Sequence, residues 1–362
     1  MITIIGAGPG GLVLARILYL YSIPFQVIEA DQSIDSRHQG GMLDLHDDTG
    51  QRALREADLF DGFTKLILPN GDALKLVDPQ GQTLLSEDGN GLRPEVERGP
   101  LRELLVNSLP PQAIRWGCKL TSAHRHGNGF ELRFADGATE FADVVIGADG
   151  AWSKVRKILT DVPVEYTGVT FVEMRYANVS VTSPITNQLV GQGTVFALGN
   201  NCGFIGHREP DDRVCVYVAL RVPLEDGPKF ESSERLHEYF HNWSSEFHAV
   251  IDECDDKEVR VLYALPIGQR WESQSGVTLL GDAAHLMSPF AGEGVNLAMV
   301  DGCDLALAIV QNPNDIDKAI SEYEGIMFAR SAEMAKESMD NLDRFIGPDG
   351  QSVAISFFSG IK

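Results

Sequence analysis

The chain of 362 residues carries 30 lysines and arginines against 52 aspartates and glutamates, a formal net charge of −22. This balance argues against a nucleic-acid-binding protein, because no surplus of positive charge is present to neutralise phosphates. The five cysteines form no C-x-x-C pair, so we predict neither a disulfide framework nor a bound metal.

The length is sufficient for two domains, and the apolar content of 43% is that of an ordinary globular protein. No charged leader precedes the first apolar run, and no apolar stretch reaches the length of a membrane span. We therefore expect a cytoplasmic protein, most simply a monomer, with small molecules rather than membranes or nucleic acids as partners.

The first residues predict a strand, a glycine turn, a helix and a second strand. The apolar run Ile2–Ile5 forms the first strand, a helix extends from Pro9 to about Tyr21, and Phe25–Ile28 forms the second strand. This order is typical of an α/β fold with a parallel sheet.

Three glycines of the turn have the spacing G-x-G-x-x-G. Gly6 permits the tight turn, Gly8 lets the backbone approach a pyrophosphate, and Gly11 lets the helix pack on the strand. Glu29 ends the second strand, where its carboxylate would accept hydrogen bonds from an adenosine ribose. The strand, the helix and the acid together predict a dinucleotide site.

Two later segments repeat the combination of a buried strand and a glycine-rich end. Residues 143–156 run from a strand into the turn Gly147–Gly150, with a helix predicted from about Ser153. Residues 277–296 run from a strand through Gly281 and Asp282 to a helix over Val295–Val310. Three such ends suggest one long ligand laid across several strands, although an ordinary strand–turn–helix has the same pattern.

The middle of the chain changes to the alternation of a β-sheet. In the segment Val214–Val222 the valines predict a core-facing side, and Tyr217 lies on the opposite side, which is either a cavity wall or a solvent face. Other predicted elements are helices at Gln51–Leu59, Arg98–Leu109, Phe230–Phe247 and Ile316–Phe345, a β-meander at Leu66–Leu85 and a strand at Val259–Ile267.

Taken together, the three glycine-rich motifs resemble those of the group A flavoprotein monooxygenases, the para-hydroxybenzoate hydroxylase-like family. The matching residues are Gly6-x-Gly8-x-x-Gly11 with Glu29, Asp149-Gly150, and Gly281-Asp282. The segments GGMLDLH (40–46), SKVRK (153–157) and GDAAHLMSPFAGEGVN (281–296) are similar to those of the TetX-type tetracycline-inactivating monooxygenases. The resemblance covers nearly the whole chain.

The resemblance implies an α/β fold with a three-layer, Rossmann-like FAD-binding domain, an α+β substrate domain built on a β-sheet, and a long C-terminal helix. The FAD-binding domain would be discontinuous and comprise residues 1–65, 97–166 and 268–314. The substrate domain would comprise residues 66–96 and 167–267, and the bridging helix residues 315–346.

The resemblance also implies a set of contacts with bound FAD. Asp149 would lie by the pyrophosphate and on the pyridine-nucleotide route, Asp282 would bond the ribityl or diphosphate part, and the backbone of Gly292–Asn296 would donate hydrogen bonds to the flavin pyrimidine edge. The full set of implied FAD contacts is Gly6, Gly8, Gly11, Glu29, Arg37, Arg102, Asp149, Asp282, Gly292, Gly294, Val295 and Asn296.

The activity implied by the resemblance is hydroxylation of an aromatic or polycyclic small molecule, with a tetracycline as one candidate. NADPH or NADH would reduce the flavin, and O2 would then give a C4a-hydroperoxide that delivers oxygen. Because the cofactor carries the chemistry, we expect no obligatory protein nucleophile, and His285 is interpreted as structural. Pro289, Phe290 and Gly292 would lie beside the ring, and Glu173, Tyr217, Pro289 and Phe290 would contact the substrate.

Two alternatives remain at this point. One is another flavoenzyme of the same fold, such as a reductase or a halogenase, although no W-x-W-x-I motif is present. The other is a flavin-binding or ligand-sequestering protein without enzymatic activity. His46 lacks the spacing of a metal ligand and is predicted to bind none.

Overall fold

A computed structural model describes residues 1–36, 40–89, 91 and 93–360. Its contacts divide the chain into two compact units, each discontinuous in sequence. Unit 1 comprises Met1–Leu66, Arg98–Glu165 and Tyr263–Ser338, and unit 2 comprises Ile67–Glu97, Tyr166–Leu262 and Met339–Lys362.

The elements follow the chain in this order. The strands are β1 (Ile2–Ile5), β2 (Phe25–Ile28), β3 (Met42–Asp44), β4 (Leu74–Val77), β5 (Thr83–Glu87), β6 (Glu95–Glu97), β7 (Ile114–Arg115), β8 (Leu120–His126), β9 (Gly129–Phe134), β10 (Thr139–Ala142), β11 (Val144–Gly147), β12 (Glu165–Tyr176), β13 (Thr194–Leu198), β14 (Cys202–Glu209), β15 (Arg213–Arg221), β16 (Asp256–Ala264) and β17 (Val277–Leu279). The α-helices are α1 (Pro9–Leu20), α2 (Gly50–Glu56), α3 (Phe60–Thr64), α4 (Arg98–Asn107), α5 (Arg156–Leu159), α6 (Val179–Thr182), α7 (Pro184–Val190), α8 (Ser233–Tyr239), α9 (Ser245–Glu253), α10 (Asp282–His285), α11 (Gly294–Gln311), α12 (Ile316–Phe345) and α13 (Gly350–Phe358). Short 3-10 turns lie at Pro111–Ala113, Gly227–Glu231 and Pro289–Ala291.

Unit 1 is built on a parallel sheet with the strand order β17–β11–β1–β2–β7. Every residue of β1 is buried, as expected of a strand covered on both faces. The register pairs Ile5 with Gly147 and Gly147 with Leu279, so β1, β11 and β17 end side by side. The three glycine-rich strand ends therefore lie at one edge of one sheet, which is where open α/β sheets bind ligands.

Helices α1 and α11 pack closely against each other in unit 1. A Cβ atom on Gly10 would lie 2.3 Å from the carbonyl oxygen of Ala298, and one on Gly302 would lie 2.2 Å from that of Gly10. Only glycine permits this approach. Among the described residues, α11 is the one helix long and apolar enough to cross a membrane, and more than half of it is buried, as is usual for a core helix.

Unit 2 is built on a mainly antiparallel sheet with the strand order β16–β12–β15–β14–β13–β4–β5, in which β13 and β4 pair in parallel. Helices α8 and α9 contribute to the core on one face, where the ring of Phe204 lies 4.7 Å from that of Phe240 and 5.0 Å from that of Phe247. Val214, Val216, Val218 and Leu220 of β15 point into this core, which confirms the predicted alternation.

Three expectations about secondary structure were wrong. Within Gly168–Val222, where strand alternation was expected to dominate and no helix was predicted, the structure has the helices α6 and α7, and Asn178, with φ of +50°, and Pro184 lie at their starts. The single helix predicted over Phe230–Phe247 is divided between α8 and α9, because the chain turns near Trp243. The helix predicted from Ser153 begins only at Arg156, because Ser153 belongs to the preceding turn.

Candidate active site

The turn after β1 requires glycine at two of its three predicted positions. Gly6 has φ of +110°, and a Cβ atom there would lie 2.2 Å from the carbonyl oxygen of Ala148 on the turn after β11. A Cβ atom on Gly11 would lie 2.4 Å from the carbonyl oxygen of Gly6. The tight turn and the close helix packing predicted for these glycines are thus confirmed.

Gly8 differs from its neighbours because it borders open space. It precedes the first turn of α1 with φ of −79°, and no described atom lies within 4 Å of a Cβ atom built on it. The same holds for Gly294 at the start of α11. Each helix start presents N–H groups that its own helix does not use, together with a partial positive charge, and so suits an anionic ligand.

Glu29 and Arg102 hold the ends of β1 and β2 in place. The Glu29 carboxylate accepts hydrogen bonds from the backbone N–H groups of Ala7, at 2.6 Å, and Asp31, at 2.8 Å. Arg102 is buried and donates to the carbonyl oxygen of Ala7, at 3.0 Å, and to the Asp31 carboxylate, at 3.1 Å. The contacts of Glu29 and Arg102 with a cofactor stay predictions. Arg37 lies outside the described residues.

Asp149 organises the turn that follows β11. Its carboxylate accepts hydrogen bonds from the hydroxyl of Ser153, at 2.6 Å, and the backbone N–H of Lys154, at 2.7 Å. Burial raises the pKa of Asp149, and these hydrogen bonds oppose the rise. The side chain therefore has a structural role already, and its contact with the pyrophosphate or the pyridine nucleotide stays a prediction.

Asp282 is the first residue of α10 and its side chain is exposed. Neighbouring protein atoms partly exclude water from its carboxyl group and so raise the pKa, while the positive charges of His285, Arg98 and Arg156 oppose the rise. A carboxylate exposed three residues after the end of β17 is placed to accept hydrogen bonds from a ligand at the sheet edge. The specific contact with FAD stays a prediction.

The segment between α10 and α11 carries the residues predicted beside the flavin ring. Pro289 is exposed and Phe290 is half-buried, both within one 3-10 turn. This turn ends at Gly292, which has φ of +69°, a conformation that favours glycine. Val295 follows in the first turn of α11 and is half-buried.

Asn296 uses its side chain within the protein. Its carboxamide oxygen accepts a hydrogen bond from the backbone N–H of His46, at 3.0 Å, and its nitrogen donates to the carbonyl oxygens of Asp44, at 2.9 Å, and Gly292, at 3.1 Å. These bonds fix the shape of the backbone from Gly292 to Asn296. Contacts of Asn296 with a ligand would therefore come from its backbone.

Sequence reasoning missed one cluster beside this segment. The imidazole of His46 lies between the carboxylates of Asp44 and Glu293, with ring nitrogens 3.0 Å and 2.9 Å from them. Residues 44 and 293 are far apart in sequence, so no local spacing could reveal the cluster. In the sequence its members stand in two separate segments, Asp44-Leu45-His46 and Gly292-Glu293-Gly294.

In unit 2, Glu173 and Tyr217 pair across neighbouring strands β12 and β15. Glu173 is buried, and Arg175, at 2.7 Å, and Arg260 both form ion pairs with it. Tyr217 is half-buried, with its ring 5.5 Å from that of Phe171 and 6.0 Å from that of His207. His207, which the sequence analysis had not singled out, joins these aromatic rings on the face opposite the core.

Metal ligands are the last feature of the site to consider. Within residues 1–36, 40–89, 91 and 93–360, no group of three or more histidine, cysteine, aspartate or glutamate side chains is arranged to hold a metal ion. His46, predicted to bind none, has carboxylate partners at both ring nitrogens.

Comparison with known proteins identifies flavoproteins as relatives. A family model described as FAD binding domain matches residues 1–324. The monooxygenase asqM of Emericella nidulans is 30% identical over 94% of this chain and 94% of its own length. The crystal structure of Klebsiella pneumoniae HpxO with FAD and uric acid has a TM-score of 0.82 at 20% identity, covering 99% of this chain and 92% of that one.

A second structural neighbour is the tetracycline destructase Tet(51). Its structure has a TM-score of 0.74 at 19% identity, covering 99% of this chain and 97% of that one. At this level of identity, the likeness to HpxO and to Tet(51) establishes the shared α/β fold.

The residues at the sheet edge fit FAD. Open space borders Gly8 and Gly294, which lie at the starts of α1 and α11. The backbone N–H groups of these helix starts suit a diphosphate and a polar ring edge. One oxygen of Glu293, Oε2, is buried and has no hydrogen-bond partner among the described residues, so it is available to a bound donor. Gly8, Gly294, Asp282 and the backbone of Gly292–Asn296 are the groups that would hold the cofactor.

Proposed function

The chain belongs to the family of FAD-dependent aromatic and heterocyclic monooxygenases, and from this we propose that it hydroxylates an aromatic or polycyclic small molecule with NADPH or NADH and O2. The observation that carries the proposal is the register that aligns Ile5, Gly147 and Leu279. It places the three glycine-rich turns at one sheet edge, as a cofactor of the length of FAD requires.

The protein's contribution is to bind and orient, because FAD supplies the redox chemistry when bound. The start of α1 would hold the diphosphate through backbone N–H groups, with Gly8 allowing close approach. The start of α11 would place its partial positive charge against the pyrimidine edge of the flavin. That charge stabilises a negative ring edge by about 1 kcal/mol.

The substrate class is proposed from unit 2 and from the relatives. The half-buried rings of Tyr217 and His207 and the buried ring of Phe171 form an aromatic group on the sheet face opposite the core. Such rings pack against planar substrates at low cost in side-chain entropy. The substrate contacts proposed for Glu173, Tyr217, Pro289 and Phe290 follow from the family resemblance. A tetracycline is one candidate, since Tet(51) has the same fold.

The test is aerobic incubation of the purified holoenzyme with NADPH or NADH and a panel of phenols, salicylates, hydroxylated heterocycles and tetracyclines. We expect substrate-stimulated oxidation of the nucleotide and a product heavier by one oxygen atom in mass spectrometry. The same incubation under 18O2 should place the heavy isotope in the product. A Gly8→Ala variant that has lost FAD serves as the protein control.

The outcomes separate the proposal from its alternatives. Nucleotide oxidation without oxygen in any product would favour another flavoenzyme of the same fold. Tight ligand binding without nucleotide oxidation would favour a ligand-sequestering flavoprotein. The pyridine-nucleotide contact of Asp149, the division into an FAD domain and a substrate domain, the monomeric state and a cytoplasmic location stay predictions.

A further inference from the structure

Three ionisable side chains of unit 1 form a compact cluster that the proposed function does not use. His46 Nε2 lies 3.0 Å from Oδ2 of Asp44, and His46 Nδ1 lies 2.9 Å from Oε1 of Glu293. The exposed fractions of the side chains are 16% for His46, 26% for Asp44 and 16% for Glu293. We refer to these residues as the His46 cluster.

The geometry fixes the charge of the cluster. Ionised carboxylates only accept hydrogen bonds, so both ring nitrogens of His46 must donate, and the ring is an imidazolium. Hydrogen bonds first to Asp44 and then to Glu293 outweigh burial and raise the pKa of His46 to about 10. With two carboxylates and one imidazolium, the cluster has a net charge of −1 at neutral pH.

The cluster also fixes the backbone that is proposed to contact the flavin. Glu293 directly precedes α11, and Asn296 connects the same segment to the backbone of Asp44 and His46 through two hydrogen bonds. A third hydrogen bond joins Asn296 to the carbonyl oxygen of Gly292 within the segment. A Cβ atom on Gly292 would lie 3.2 Å from the Asp44 carboxylate. The His46 cluster and Gly292–Asn296 are therefore linked by direct contacts.

One carboxylate oxygen in the cluster lacks a partner. Glu293 Oε2 is buried and accepts no hydrogen bond from any described residue, whereas buried polar atoms nearly always have partners. The other oxygen of Glu293, Oε1, accepts a hydrogen bond from His46. The carboxylate is thus anchored at one oxygen and has its other oxygen available at the start of α11.

We propose that the His46 cluster sets the reduction potential of the bound flavin, with His46 as the positioning residue that holds Asp44 and Glu293 and offsets half of their negative charge. This rests on the proposed placement of the flavin edge at Gly292–Asn296. Reduction adds negative charge to that edge, so its free energy depends on charges fixed nearby in a partly buried site. More negative charge in the cluster disfavours the reduced cofactor.

Three single variants change the charge of the cluster, in both directions, and one double variant keeps it. His46→Gln changes it from −1 to −2, and Glu293→Gln and Asp44→Asn each change it to 0. The double variant His46→Gln/Glu293→Gln restores −1 without the imidazolium. His237→Gln is the matched control, because His237 also pairs with a carboxylate, that of Asp252 at 2.8 Å, within unit 2.

The experiment is redox titration of the FAD-loaded variants in the absence of substrate, with FAD affinity measured by flavin fluorescence. We expect the ratio of affinities for reduced and oxidised FAD to fall at least tenfold in His46→Gln, equivalent to about 30 mV for a two-electron couple. It should rise by a similar factor in Glu293→Gln and Asp44→Asn. The double variant should return toward the wild-type potential, and the His237→Gln control should match the wild type.

A purely structural role would not produce shifts of opposite sign. Unchanged potentials in the single variants, or shifts of the same sign in His46→Gln and in the two acid-to-amide variants, would overturn the proposal. If His46→Gln fails to fold or to retain FAD, the proposal still requires a raised potential in both acid-to-amide variants, and an unchanged or lowered potential in either would overturn it. The redox titration uses no substrate, so its result does not depend on the proposed hydroxylation. If the potential depends on the charge of the cluster but the protein hydroxylates no compound, the proposed function is refuted and the role of the His46 cluster is not.

Discussion

The imidazole Nε2 atom of His285 lies 2.6 Å from Oδ2 of Asp301, and both side chains are buried in unit 1. Arg330 donates to the other oxygen of Asp301, at 2.8 Å, and the backbone N–H of Gly281 donates to Oδ2, at 3.0 Å. Burial favours the neutral histidine, but the charge of Asp301 outweighs it and raises the pKa of His285. His285 is thus half of an ion pair that ties the turn after β17 to α11, as its structural interpretation requires.

Replacing Asp301 with asparagine should therefore destabilise unit 1 strongly. The change removes the counter-charge of the buried imidazolium of His285, whereas Arg330 keeps its ion pair with Asp304. Breaking the buried His285–Asp301 pair costs about 3 kcal/mol or more of unfolding free energy. Urea unfolding at pH 7, followed by tryptophan fluorescence, measures the loss. Asp48→Asn, an exposed change in the same unit, is the control and should stay within about 0.5 kcal/mol of wild type. A loss in Asp301→Asn no larger than in the control would contradict the role of the pair.

A second prediction concerns the pH dependence of stability through His46. Its pKa is raised from 6.5 to about 10 in the folded protein, so between these values the folded state holds a proton that the unfolded state lacks. The contribution is fully present below pH 6.5 and is lost as the pH rises to about 10. Unfolding free energy should fall by up to about 1.4 kcal/mol per pH unit from this group.

The measurement is denaturant unfolding of the flavin-free protein from pH 6 to pH 10, for wild type and His46→Gln. The difference between the two proteins isolates His46, because their other titrating groups are shared. We expect this difference to shrink steadily as the pH rises. Parallel stability curves over the whole range would show that His46 is not an imidazolium in the folded state.

The sequence predicts structural features that depend on neighbouring residues better than features that depend on residues distant in the chain. Apolar periodicity and the residues that interrupt it predict the bounds of three elements correctly. These are the strands Ile2–Ile5 and Phe25–Ile28 and the helix Ile316–Phe345. The breaks at Asn178 and Pro184 were missed because a strong strand pattern continues on both sides of them. Helix α13 was not predicted, because Gly347 and Pro348, shortly before it, are typical of residues that follow the end of a helix.

Candidate site residues show the same division. The steric needs of Gly6 and Gly11 are contained in one turn and were predictable from spacing. The partners of His46 come from residue 44 and residue 293, which only the completed fold brings together. Glu173 was expected to contact substrate, but its carboxylate forms ion pairs with Arg175 of the same strand and Arg260 of β16. Arg260 is distant in sequence, so this second pair could not be predicted from local spacing.

Gly8 offers a test of FAD binding that leaves folding intact. A methyl group at this position meets no described atom within 4 Å, and the backbone φ of −79° suits alanine. Gly8→Ala should therefore change the stability of the flavin-free protein by no more than about 1 kcal/mol. The methyl group would, however, occupy the space needed by the diphosphate, so the Kd for FAD should rise at least tenfold.

Flavin fluorescence on titration of the flavin-free protein measures this Kd. Gly325→Ala is the matched control, because its methyl group also meets no described atom within 4 Å but lies on the exposed surface of α12. That variant should bind FAD as the wild type does and gain up to about 1 kcal/mol of stability from helix propensity. Unchanged FAD affinity in Gly8→Ala would place the diphosphate elsewhere.

Tyr217 tests the proposed substrate surface of unit 2. Its ring lies between those of Phe171 and His207, at 5.5 Å and 6.0 Å, on the face opposite the core. If this ring packs against a planar substrate, Tyr217→Leu removes that contact and should raise KM at least tenfold, whereas Tyr217→Phe keeps the ring and should change KM less than threefold. Steady-state oxidation of NADPH or NADH with the substrate found in the panel measures both. A KM raised equally in the leucine and phenylalanine variants would assign the role to the hydroxyl instead of the ring, and an unchanged KM in both would show that substrate does not contact Tyr217.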